Sequence, residues 1–129
     1  MVAAHGHRLS ADPPDLRPAY AQAAAAVMPL REGGGTRLKA LEALVAGCPV
    51  VATAKAVEGL GLVPDRHYLA AERPGDFVAA LLRLDADAGL AHALAVEGRR
   101  LIETRYAEAP RREALRRAAG LPIAAAPTP

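Results

Sequence analysis

Apolar residues Leu38, Leu41, Leu44 and Val45 recur at helical spacing, which predicts a helix over Thr36–Ala46 with one buried stripe. Gly47 follows as its C-terminal stop. Next comes Pro49-Val50-Val51-Ala52-Thr53, apolar almost throughout and rich in β-branched side chains. A strand apolar on both faces belongs to a parallel sheet covered by helices on either side. Ala24–Met28, stopped by Pro29, reads as another buried strand, and Tyr68–Ala71 as a weaker one after the glycine-punctuated loop Val57–Asp65. Asp76–Leu84 and Ala88–Tyr106 have the alternation of amphipathic helices, and an Arg-rich helix is expected over Arg111–Ala119. At the other end, a short strand over His5–Ser10 runs into the breaker cluster Ala11-Asp12-Pro13-Pro14-Asp15. Asp15 would cap a short helix carrying Arg17, Tyr20 and Ala23. Strands alternating with helices predict an α/β fold: a short parallel sheet flanked by helices, with a helical C-terminal region.

Composition narrows this picture. The 129 residues are one domain's worth of chain, and alanine supplies much of the 52% hydrophobic share, with one Phe, three Tyr and no Trp. Large side chains give most of a core's burial energy, so the expected core is thin. A formal charge of +2 is too weak a field to point to nucleic acid. The lone Cys48 excludes an internal disulfide and a four-cysteine metal site, and its apolar setting predicts a small buried thiol. No apolar run is long enough to span a bilayer and no signal pattern opens the chain, so a cytoplasmic location is expected.

The chemistry concentrates at Arg31-Glu32-Gly33-Gly34-Gly35-Thr36-Arg37-Leu38-Lys39, a glycine loop between a predicted strand and a predicted helix. Free N–H groups and the dipole of a helix N-terminus favour an anion, and glycines let backbone approach it closely. Thr36 adds a hydroxyl, and Arg37 and Lys39 add charge. The loop is neither a Walker loop nor a Gly-x-Gly-x-x-Gly dinucleotide fingerprint. A tight turn before an ordinary solvated helix start is the alternative. Glu42 projects about 40° from Leu38 and about 60° from Val45, which puts it at the border of the apolar stripe. There its two oxygens suit a pair of adjacent ribose hydroxyls, or it forms only an exposed pair with Lys39.

The stretch "PLREGGGTRLKALEALVAGCPVVAT", with Asp15-Leu16-Arg17-Pro18 before it and "VEGL", "HYLAAERPGDFVAALLRL" and "GRRLIETRY" after it, resembles the C-terminal, donor-binding domain of the retaining glycosyltransferases of family 4. The match covers roughly residues 6–106. The resemblance implies a partial Rossmann-like domain over residues 1–106 that binds a nucleotide sugar, an Arg-rich helix over 107–120 and a disordered tail over 121–129. It implies hexosyl transfer to an unknown acceptor, with the nucleotide sugar as donor substrate and no cofactor or metal. In the family two glutamates with seven residues between them bracket the loop and helix start; the second, on the ribose, corresponds to Glu42. The first, on the sugar, falls on Gly34, although some members carry Gly-Gly-Gly-Thr-Arg-Leu-Lys here. The implied substrate-binding residues are therefore Gly33, Gly34, Gly35, Thr36, Arg37, Leu38, Lys39 and Glu42, with the amides of Thr36, Arg37 and Leu38 on the pyrophosphate or sugar. Ala56 stands where the family often has glycine.

Family members run to about two domain lengths. The acceptor-binding half, the first strands of the donor half and its usual diphosphate-clamping basic residue are expected to lie outside this chain. A truncated transferase, a piece of a split enzyme and a remnant that binds a nucleotide weakly or packs on a partner are all compatible with that. Self-association through uncovered apolar faces is expected.

The remaining features are weaker. His5 and His7 share a predicted strand face without acidic or Cys partners, so metal binding is disfavoured. The resemblance puts Arg8 near the base and Glu58 on a donor-facing loop, where a solvated carboxylate is the alternative. His67 and His92 are expected on the surface. Seven Arg against three Glu over Arg99–Arg117, with Tyr106 the single aromatic among them, predict a solvated helix face over a nucleic-acid platform.

Overall fold

A computed structural model describes residues 17–33, 36–105 and 116–120. The predicted strand His5–Ser10, the cap Asp15 and Arg8 lie outside them, as do residues 106–115 and 121–129. Helix α1 (Arg17–Gln22) leads into strand β1 (Ala26–Met28). Helix α2 (Thr36–Val45) returns the chain to β2 (Val50–Ala52), and a 3-10 turn over Lys55–Val57 leads on to β3 (Leu69–Ala70). Helices α3 (Pro74–Ala86) and α4 (Ala88–Arg105) follow, and residues 116–118 are again helical. The strands form one parallel sheet in the order β1-β2-β3, with Val27 opposite Val51 and Val51 opposite Leu69. This is the short, helix-flanked parallel sheet of a partial Rossmann-like domain.

The alternation of β2 divides the core in two. Val50 and Ala52 point into a layer built with Ala40, Ala43 and Leu44 of α2 and Ile102 of α4. Val51 points the other way, into a layer with Leu69, Ala80, Leu84 and Leu94. Since α4 contributes Leu94 to one layer and Ile102 to the other, that single helix ties both together. Gly98 lies between them, and a Cβ there would meet Leu44 Cδ2 at 2.7 Å and the His67 carbonyl at 3.1 Å. Only glycine permits so close an approach. Cys48 is buried, as expected.

The buried side of α2 corrects the sequence reading. Ala40 and Ala43 are fully buried, whereas Leu38 is 45% exposed. Two positions apart on a helix means roughly 160° round the axis, so Leu38 and Ala40 cannot share a face. The smaller side chains win because the helix lies close against the sheet and α4, and close approach favours alanine over leucine. On the sheet's other face, Val27 is 45% exposed although its neighbour Val51 is fully buried. Helix α3 packs on β2 and β3 and leaves β1 uncovered there.

Candidate functional site

All three strands run the same way, so their exits, at Met28, Ala52 and Ala70, lie along one edge of the sheet. Ligands of open parallel sheets bind at that edge. The segment leaving β1 reaches Gly33, whose φ of +94° no side-chain-bearing residue adopts without strain. Gly34 and Gly35 lie outside the described residues. Helix α2 then opens at Thr36 with no acidic residue in its first turn, and Arg37, Leu38 and Lys39 are exposed. An open groove of about 290 Å³ beside this helix start is lined by Val27, Met28, Pro29, Leu30 and Lys39.

Side chains of the neighbouring exits hold this edge together. Thr53, 1% exposed, donates its hydroxyl hydrogen to the Leu30 carbonyl and accepts the Ala56 N–H at 3.2 Å. It thereby couples the segment before the glycines to the 3-10 turn after β2. From the β3 exit, Glu72 Oε1 accepts the Ala54 N–H at 2.9 Å, and its carbonyl accepts from Arg31 Nη2 at 3.4 Å. At the front, a single oxygen of Glu58, Oε2, sits 3.2 Å from Arg37 Nη2 and 3.0 Å from Lys55 Nζ. The Lys55 ammonium, then the Arg37 guanidinium, hold the Glu58 carboxyl below its ordinary range. Glu58 is thus exposed, as one reading of its loop had it, but paired with two cations.

Glu42 is six residues into α2, about 9 Å along the axis from Thr36. It is half-buried and faces Tyr20 of α1, whose hydroxyl donates to Glu42 Oε2 at 3.4 Å. Burial pushes the Glu42 carboxyl above the usual carboxylate range, while the Tyr20 hydroxyl and the Lys39 ammonium pull it back. The Tyr20 phenol is driven up to about 12 by burial first and by the Glu42 charge second. An ionised carboxylate offers about four acceptor positions, so one Tyr20 bond leaves room for two ligand hydroxyls.

The structure therefore brings Gly33, Arg37, Leu38 and Lys39 to one edge and sets Glu42 farther along the same helix. Tyr20, Thr53 and Lys55 were not singled out in the sequence. Of these, only Thr53 left a local signal, as the polar residue that ends an apolar strand. His67 corrects an expectation: it is 5% exposed, and its Nδ1 accepts the Val63 N–H at 2.9 Å. As a ring acceptor, the buried imidazole satisfies a backbone N–H of the exposed turn that precedes it. It lies at the opposite edge of the sheet, before β3, and lines a cavity of about 160 Å³ with Arg66, Glu97 and Arg100. His92 is exposed, as expected. The Arg-rich face of α4 is a solvated one where it is described, with Arg99 paired to Glu103 and Arg100 to Glu97, each at 3.0 Å. Among the described residues no helix is long and apolar enough to cross a membrane.

A family model described as "Glycosyl transferases group 1" matches residues 2–87. No curated protein matches the chain. Among solved structures, the C-terminal domain of a glycosyl transferase group 1 family protein, LpcC, from Francisella tularensis is similar at 26% identity and a TM-score of 0.65, over 78% of this chain. The chain spans 52%, about half, of that solved domain.

Proposed function

This chain belongs to the group 1 glycosyl transferases, and from that premise we propose that it is the donor-binding part of an enzyme transferring a hexosyl group from a nucleotide sugar. The diphosphate sits at the start of α2, met by the amides of Thr36, Arg37 and Leu38 with the Arg37 and Lys39 charges around it. Glu42 takes the ribose hydroxyls from farther along the helix. When the glycosidic bond breaks, negative charge grows on the leaving diphosphate. A preorganised helix start and fixed cations stabilise that charge without reorganising, which is the contribution this half makes to the reaction. The acceptor is held by a part of the enzyme outside this chain. The apolar surface exposed at Val27 supports packing against further protein, whether an acceptor-binding part or a second copy.

The observation that carries this reading is the placement of Glu42 on the helix that follows the glycines and opens with cations and no acidic residue. Titrating UDP and GDP into wild type and Glu42→Gln by calorimetry tests it. A charge-assisted hydrogen bond made neutral should cost roughly 1–3 kcal/mol of nucleotide binding. Equal affinity in both proteins removes Glu42 from the site.

A second reading, a non-catalytic remnant that binds nucleotide weakly or only a partner, is favoured by one feature. Gly34 stands where the resemblance puts the sugar-binding carboxylate. Absence of nucleotide binding by a folded sample would select it. In either case the chain alone should show no hexosyl transfer, because transfer needs donor and acceptor held together in a dry cleft.

A further inference from the structure

We infer that Arg37 and Lys55 form a two-cation clamp for the diphosphate, and that Glu58 occupies it in the empty protein as an internal stand-in for the ligand's anion. The inference rests on the donor-site reading above and adds two residues with opposite effects. Lys55 strengthens binding, and Glu58 competes with it.

The geometry carries the argument. Arg37 belongs to the first turn of α2 and Lys55 to the 3-10 turn that follows β2, so the two cations come from different strand exits. They converge on one atom, Glu58 Oε2, at 3.2 and 3.0 Å. One oxygen between two cations is also how a phosphate oxygen is held, so the pair is already spaced for such a ligand. The turn carrying Lys55 is anchored from beneath: the Ala54 N–H is bound by Glu72, and the Ala56 N–H by the buried Thr53 hydroxyl. Glu58, by contrast, follows that turn directly and precedes Gly59, whose φ is +85°. All three side chains are about half exposed, at 50% for Arg37, 44% for Lys55 and 52% for Glu58. A carboxylate held by exposed pairs is bound weakly, and a diphosphate with more charge and more oxygens can displace it. Left in place beside the ligand, the Glu58 charge would repel it. Arg31 and Lys39, the other cations of this edge, are not engaged by Glu58.

The test is calorimetric titration of the full chain with UDP and with inorganic pyrophosphate. Wild type is compared with Glu58→Gln, Lys55→Gln and the double variant, with Glu42→Gln as the control for the site itself. Glu58→Gln should tighten both ligands about two- to fivefold, the size of an exposed ion pair. Lys55→Gln should weaken both, and adding it to Glu58→Gln should abolish the gain. In wild type, pyrophosphate should also move the titration of the Glu58 carboxyl carbon, followed by NMR, to higher pH as its cations are taken away. If Glu42→Gln weakens UDP but Glu58→Gln leaves both ligands unchanged or weaker, the site stands and the clamp is overturned. If no variant with wild-type circular dichroism and melting binds UDP or pyrophosphate, the site reading and the clamp fall together.

Discussion

Helices α2 and α3 both begin at the exit of a parallel strand, on the same edge of the same sheet, yet their first turns are built in opposite ways. Helix α3 opens with Pro74, which has no N–H to satisfy, and Asp76 folds back on the start of the helix. Its Oδ2 accepts the N–H of Arg73 at 3.0 Å and of Glu72 at 3.2 Å. A carboxylate is thus already in place where the dipole wants one. Helix α2 has glycines before it, no acidic residue in its first turn, and Arg37 and Lys39 there instead. A helix start closed by its own acid serves stability. One that adds cations and supplies no acid of its own holds a position for an anion that must come from elsewhere, from Glu58 or from a ligand.

The contrast depends on Thr53, and its removal should have the largest effect on folding. Thr53→Val keeps the shape but removes the hydroxyl that joins Leu30 to Ala56. Leaving buried polar groups short of a partner costs about 1–3 kcal/mol. Chemical denaturation should register that loss, and hydrogen exchange should rise around the start of α2 while the start of α3 stays protected. A uniform rise along both helices would mean that Thr53 supports the sheet in general and not the edge beside the glycines.

The same substitution at the two helix starts should have opposite signs. Gly33 has a φ of +94° with open space around it, so Gly33→Ala meets no clash and pays only for the left-handed backbone, about 1–2 kcal/mol. Gly75, in the first turn of α3, also has open space but ordinary helical backbone. Gly75→Ala should therefore stabilise by about 0.5–1 kcal/mol. Thermal melts of the two variants decide this. A stabilising Gly33→Ala would show that the loop does not need its left-handed turn.

The fold and the site at this edge were unequally legible in the sequence, and the reasons are physical. The helix–strand alternation was readable because periodicity is local, and α2 and β2 came out within a residue or two of the pattern. The glycines and Glu42 were readable as one motif, a loop and the helix that follows it. The buried face of α2 was misassigned because Leu38 outranks Ala40 in hydrophobicity, yet close packing against α4 and the sheet selects the smaller side chain. His67 was taken for a surface residue because nothing local shows that its ring is buried with one nitrogen accepting the Val63 N–H. The Arg37–Glu58 pair and the Tyr20–Glu42 contact join residues 21 and 22 positions apart, and no spacing rule reaches that far. Thr53 alone could have been suspected from its place at the end of an apolar strand.

The smallest expected effect is at Asp76, and it tests the closed half of the contrast through its pH dependence. Hydrogen bonds from the Arg73 and Glu72 N–H groups hold the Asp76 carboxyl below its ordinary value of 3.8. A carboxyl whose folded value is depressed adds stability that is fully present above the unfolded value. That stability is lost as pH falls through the folded one. Asp76→Ala should therefore melt below wild type at neutral pH, with the gap steady down to about pH 4 and closing at lower pH. UDP affinity at pH 7 should be unchanged, since this acid serves α3 alone. A gap that persisted undiminished into strong acid would mean that Asp76 contributes by packing and not by its charge on the helix start. A change in UDP affinity would mean that the two helix starts are coupled, through Glu72 and its bond to the Ala54 N–H.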